Sequence, residues 1–141
     1  MNISYKSPGA LEQTRFEKIH SVIFNDSKEA SKIVAKEIAD LIKKKQKQNK
    51  NCVLGLATGS SPISVYQELV RMHKVENLSF KNVITFNLDE YYSMNKNDDN
   101  SYHHFMNIHL FDHVDIENKN VHIPDGTITK EKINEYCTNY E

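Results

Sequence analysis

Two short apolar runs, Cys52-Val-Leu-Gly-Leu-Ala57 and Val83-Ile-Thr-Phe-Asn-Leu88, constrain what this chain can fold into more than any other feature. Each is continuous over one strand length, as a parallel strand buried on both faces requires. Between them Ile63, Tyr66, Leu69, Val70 and His73 recur at helical spacing. The order strand, helix, strand favours a parallel pairing through a crossover. The first run stops at Thr58-Gly59-Ser60-Ser61-Pro62, where Ser61 is a natural N-cap and Pro62 suits the first helical position. This is the grammar of an α/β fold: a Rossmann-like open parallel sheet with flanking helices.

The flanks extend the pattern. Asp26 with Glu29 resembles a capping box, and Ile33, Val34, Ile38, Leu41 and Ile42 continue as a helix that ends in a lysine-rich tail over residues 43–50. Lysines near a helix C-terminus suit its dipole and keep a surface solvated, so the tail is read as surface rather than a nucleic-acid patch. Beyond the second run, a polar loop leads to Ser101 as a cap and a helix through Phe105, Ile108 and Phe111. Then come a short strand at Val121-His-Ile-Pro124, a turn at Asp125-Gly126, and a last helix capped by Thr129 and carrying Ile133, Tyr136, Cys137 and Tyr140. Only two long buried strands are present where such sheets have about five, so the fold is expected to be incomplete at the C-terminus. Residues 1–25 carry no convincing periodicity and are expected to be an N-terminal extension, with the domain over 26–141.

Composition narrows the partners. With 18 basic against 19 acidic residues the net charge is -1, which gives no global field for nucleic acid or anionic lipid. A small polar substrate is the better expectation. Cys52 and Cys137 form no paired-spacing motif, which suits a reducing, cytoplasmic setting. No signal-type apolar segment occurs, and no apolar stretch approaches the roughly 20 residues that span a bilayer.

Ligands of open α/β sheets bind at the C-terminal ends of the strands, where helix N-termini offer free N–H groups to anions. Two segments have that address. In Thr58-Gly59-Ser60-Ser61, Gly59 permits close backbone approach and the hydroxyls can donate to phosphate oxygens. An ordinary capped turn has the same composition. The turn lacks the Gly-Lys-Ser/Thr ending of a nucleotide-binding loop. In the second segment, Asp89 and Glu90 follow the second strand directly. A carboxylate there can be partly desolvated and serve as a general base for a proton on carbon next to a carbonyl, and strand alternation lets one of the pair face the site. The alternative is that either one caps a helix or pairs with a lysine. His109 and His113 have the spacing of a helical ligand pair, but no glutamate follows His109 and Asp112-His113 has the look of a helix end; no metal is expected. Neither a nucleophile elbow nor Cys-x-x-Cys is present.

Three ordered blocks now stand together: the stretch from Leu54 to the Thr58-Gly59-Ser60-Ser61-Pro62 turn, Phe80-Lys-Asn-Val-Ile-Thr-Phe-Asn-Leu-Asp-Glu-Tyr91, and Ser101-Tyr-His-His-Phe-Met-Asn-Ile-His-Leu-Phe-Asp-His-Val-Asp-Ile116. They closely resemble the glucosamine-6-phosphate deaminase family. The resemblance implies that Thr58, Gly59, Ser60 and Ser61 hold the substrate phosphate, with Ser60 where many members have a second glycine. It also implies that Asp89 is the proton-transfer base, with Glu90 in support. The implied reaction opens the sugar ring, moves a proton between C2 and C1, and expels ammonia to leave fructose 6-phosphate, with no redox cofactor. Family members commonly form symmetric homo-oligomers. Members also carry a later Asp-Gly-His block and a glutamate for ring opening, absent up to Glu141, so the resemblance assigns the activity to a complete parent protein and expects this piece alone to be inactive. The related 6-phosphogluconolactonases resemble a motif with Arg after Asp-Glu, where Tyr91 stands here. A lactonase-like hydrolase is the second reading and a non-catalytic sugar-phosphate-binding module the third.

Overall fold

The computed structural model describes residues 22–141. Most of the extension expected over residues 1–25 lies outside the described residues. Helix α1 (Ser27–Lys47) opens on Asp26, whose carboxylate accepts from the Lys28 N–H at 3.0 Å, so Asp26 caps the helix through Lys28 and not through Glu29. Its end is set by Asn49, which takes a left-handed φ of 52° while Lys50 N–H reaches back to the Lys45 carbonyl and Asn49 N–H to that of Gln46. Those two bonds satisfy carbonyls that the last turn leaves free. Strand β1 (Cys52–Leu56), helix α2 (Ser60–Glu76) and strand β2 (Val83–Asn87) follow in the predicted order. Ser101 caps α3 (Tyr102–His109) by accepting from the His104 N–H at 3.0 Å, and the helix stops short of Phe111, which begins a 3-10 turn. Strand β3 (Val121–His122), a 3-10 turn (Lys130–Lys132) and α4 (Ile133–Tyr140) complete the described chain.

The sheet has the order β1-β2-β3 with both pairings parallel. Pairing of Cys52 with Val83 and of Leu56 with Asn87 brings the C-terminal ends of β1 and β2 level. Cys52, Leu56, Val83, Thr85 and Asn87 alternate onto one buried face, and α1 packs on both α2 and β1. The core there includes Ala35, Ala39, Ile42, Leu69, Phe80 and Met106.

The strands are not buried on both faces as predicted. Val53 is 60% exposed and Phe86 38%, because the described residues cover the second face only in part. His122 stacks on the Phe86 ring at 4.5 Å and Tyr140 meets its edge at 6.2 Å, while Gly55 faces open space. An uninterrupted apolar run reports what a strand is built to bury, and here only half of it is buried by these residues. Among the described residues no helix is long and apolar enough to cross a membrane.

Candidate active site

The ends of β1 and β2 are fastened together before either turn begins. Asn87 donates its side-chain amide to the Leu56 carbonyl at 3.1 Å, and the Tyr66 hydroxyl donates to the carbonyl of Ala57. Burial pushes the Tyr66 hydroxyl up to about 12, against the smaller opposing effect of its bond to Ala57, so it stays a neutral donor. The Tyr140 hydroxyl adds a bond to the Asn87 carbonyl at 2.8 Å.

At the first turn Gly59 has φ 102° and ψ -179°, a conformation confined in practice to glycine. That conformation starts α2 at Ser60, earlier than predicted. Gly59 is the N-cap, Ser61 lies inside the first turn, and Pro62 is the third helical residue instead of the first. Proline is tolerated there because early N–H groups have no intrahelical partner. The helix start has no side-chain cap and no acidic residue in its first turn. Gly59, Ser60 and Ser61 are exposed and Thr58 is half-buried. A helix of 17 residues thus presents free N–H groups, two serine hydroxyls and the positive end of its dipole to solvent, the arrangement that binds an anion. The N-termini of α1 and α3 are instead closed by Asp26 and Ser101. Arg71, on the same helix, is committed to Glu68 at 2.8 Å and Glu76 at 2.6 Å.

At the second turn the two carboxylates part company. Asp89 is exposed, on the wall of a cleft of about 270 Å³ shared with Tyr92, Pro124, Ile133 and Tyr136. The desolvation expected for a base at this edge is therefore not supplied to Asp89 by the described residues. Burial falls on Glu90, whose side chain is 1% exposed. Burial alone would push the Glu90 carboxyl up, but the N–H groups of Tyr102, Tyr91 and His103 and the His103 ring outweigh it and hold it below its ordinary value. Glu90 caps α3, the alternative that the sequence left open.

The residue lying between the two turns is Tyr102, which sequence reasoning missed. Its ring lies 4.8 Å from that of Tyr91, and its hydroxyl lies within the influence of the side chains of Tyr91 and Thr58. The neighbouring Tyr91 side chain is the main cause that lifts its hydroxyl above the ordinary tyrosine value; the charge of Asp89 adds to this and Thr58 opposes it. Tyr102 thus lies close enough to Thr58 of the first turn and Tyr91 of the second for both, and for the charge of Asp89, to act on its hydroxyl. The histidines disperse: His103 goes to Glu90, His109 packs on the Phe105 ring at 4.4 Å, and His113 meets the Ile108 carbonyl at 3.0 Å. No three His, Cys, Asp or Glu side chains converge as a metal site among the described residues.

Residues 25–141 match the family described as glucosamine-6-phosphate isomerases/6-phosphogluconolactonase. The chain belongs to this family. A glucosamine-6-phosphate deaminase-like protein of Bacteroides thetaiotaomicron is 47% identical over 140 residues, covering 97% of this chain and 21% of that protein. A glucosamine-6-phosphate deaminase of Thermoanaerobacter sp. is 45% identical over 108 residues, or 77% of this chain and 42% of that one. Among solved structures, one described as a monomeric glucosamine-6-phosphate deaminase superposes with a TM-score of 0.77 at 42% identity, over 84% of this chain and 46% of that chain. The chain therefore spans about a fifth of the first relative and less than half of the other two. The region matched by the family takes in both turns and Tyr102.

Proposed function

We propose that this chain supplies the substrate-phosphate turn and the proton-transfer carboxylate of a glucosamine-6-phosphate deaminase. The complete protein then converts glucosamine 6-phosphate and water into fructose 6-phosphate and ammonia. The observation that carries this reading is the pairing, at the level C-terminal ends of β1 and β2, of an uncapped helix N-terminus with an exposed carboxylate. A sugar phosphate needs both: an anion site for one end and an acid–base group for the other.

In this reading Thr58, Gly59, Ser60 and Ser61 anchor the phosphate. Asp89 takes the proton from C2 of the open-chain aldehyde and returns it to C1, while the aldehyde oxygen gains a proton and the amine loses one, which leaves a hydroxyl at C1 and a C=N bond at C2. Water adds across that bond and ammonia departs, giving the ketone. No electrons are gained or lost overall, so no redox cofactor is required. In this reading the complete protein acts in the cytoplasm, where a phosphorylated amino sugar that does not cross membranes freely is retained. Tyr91, after Asp-Glu, favours the deaminase over the lactonase activity included in the family's description.

The test compares the complete protein with its Asp89→Asn variant for ammonia release from glucosamine 6-phosphate, hydrolysis of 6-phosphogluconolactone, and calorimetric binding of the sugar phosphate. Ammonia release that falls on the order of 10³-fold in the variant, with binding kept, is the expected result. Retained turnover removes Asp89 as the base. Lactone hydrolysis without ammonia release moves the protein to the lactonase reading, and binding without either activity to a binding module.

A further inference from the structure

Asp89 stands between two fixed residues, Asn87 two positions before it and Glu90 directly after it. Before it, Asn87 is buried and bonded through its side chain to Leu56 and through its carbonyl to Tyr140. After it, the oxygens of Glu90 accept from the Tyr91 N–H at 2.9 Å, the Tyr102 N–H at 3.0 Å, the His103 N–H at 3.2 Å and the His103 Nδ1 at 3.1 Å. Two of those donors are the first N–H groups of α3, which Ser101 leaves for Glu90 while it takes His104. The far side of the same turn rests on Gly126. A Cβ at that position would lie 2.4 Å from the Tyr91 carbonyl oxygen and 2.6 Å from that of Met94, and the Gly126 carbonyl accepts from the Ser93 N–H at 2.8 Å. Real Cβ atoms do not approach backbone oxygens so closely, so the turn over residues 90–94 is seated on Gly126 because no side chain stands there.

We propose that Glu90 and Gly126 are positioning residues for Asp89. The carboxylate fastens the turn to α3 and the glycine seats it from the opposite side. Together they set the direction in which Asp89 leaves the end of β2, and so its reach to a sugar anchored at Thr58, Gly59, Ser60 and Ser61. The inference rests on the reading of Asp89 as the proton-transfer base. Neither residue touches the substrate in this account. Proton transfer from carbon is sensitive to placement, and a displacement of about 1 Å costs on the order of 10²-fold in rate. Phosphate anchoring at α2 depends on neither residue, so the two effects separate.

The test uses the complete protein and two variants that disturb the turn from opposite sides. Glu90→Gln keeps the side-chain shape and one oxygen but places an amide among donors at His103. Gly126→Ala leaves every charge in place and pushes the Tyr91 and Met94 carbonyls. Both variants are assayed for kcat and KM with glucosamine 6-phosphate, and kcat is normalised to the sites that bind inorganic phosphate in a calorimetric titration. The expected result is a fall in kcat per competent site of about 10- to 100-fold in each, with KM and phosphate affinity within about twofold of the parent. A merely structural role lowers the number of competent sites without changing kcat per site. Parental kcat per site in both variants, or kcat, KM and phosphate affinity shifting together, overturns the inference. Asp89→Asn run alongside separates the two readings. If it abolishes turnover while the two variants match the parent, the positioning role alone has failed; if it retains turnover, the base has been misassigned and the positioning role falls with it.

Discussion

The turns after β1 and β2 lie side by side on one sheet edge and are built in opposite ways. The first is open: α2 begins without a side-chain cap, and Gly59, Ser60 and Ser61 face solvent. The second is clamped: Glu90 is buried under four donors and Gly126 is wedged beneath it. A glycine serves each for a different reason. Around Gly59 there is room for a methyl group, but its φ of 102° excludes other residues; around Gly126 the backbone carbonyls leave no room at all. Groups that bind an anion are left unpaired until the anion arrives, whereas a general base needs a rigid mount and takes it from residues that never meet the substrate.

The largest expected effect falls on the clamped turn's free group. Asp89→Asn in the complete protein removes the proton acceptor and raises the barrier by about 4 kcal/mol, equivalent to the roughly 10³-fold loss of ammonia release expected above. Melting temperature should barely change, because Asp89 is exposed. A variant that loses stability as well as turnover would mean that Asp89, too, belongs to the mount.

Next come the two glycines, which set the comparison most directly. Gly126→Ala should destabilise by about 3 kcal/mol, since the atoms it meets are backbone and cannot swing aside as a side chain would. Gly59→Ala should destabilise by only about 1 to 2 kcal/mol through backbone strain. Its larger consequence is for ligand binding: a methyl group and a relaxed φ both spoil the start of α2, and affinity for inorganic phosphate should drop about tenfold. Urea denaturation and phosphate titration of both variants check this. Equal stability losses with equal phosphate affinities would erase the distinction between an open and a clamped turn.

Local pattern made much of this fold legible. The helical spacing from Ile33 to Ile42, the run at Cys52, the run at Val83 and the cap at Ser101 are each decided within a few residues, and all appear where predicted. The start of α2 was misplaced because Ser61-Pro62 has the composition of a cap and first residue, while the backbone angle of Gly59 had already begun the helix. Burial of both strand faces was over-read for another reason: Val53 and Phe86 record an apolar requirement that these residues meet only in part. Tyr102 and Gly126 were out of reach. Tyr102 looks like an ordinary first residue of a helix, and nothing local shows that it meets Thr58 from 44 positions away in sequence. Gly126 reads as a turn glycine after Asp125, and its actual constraint comes from Tyr91 and Met94.

The smallest expected effect concerns the charge of Glu90 and has a definite sign. Its carboxyl is held below the ordinary value of 4.5, so the native state binds its proton less readily than the unfolded chain does. Stability from the clamp is therefore fully present above about pH 4.5 and is lost as the pH falls below that value toward the lowered native one. Asp115 provides an internal comparison away from the site. Burial pushes its carboxyl up, but the Phe80 N–H, the Ser79 hydroxyl and the charge of His73 hold it below its ordinary 3.8. Its contribution should disappear in the same direction but over a more acidic range. Urea denaturation of the parent and Glu90→Gln at steps from pH 7 to pH 3 should show the gap between them narrowing below about pH 4.5, with the Asp115 contribution common to both. Curves that stay parallel through that range would mean that Glu90 ionises alike in folded and unfolded chains. Its four donors would then hold the turn by shape and not by charge, and the clamp would survive acid better than its composition suggests.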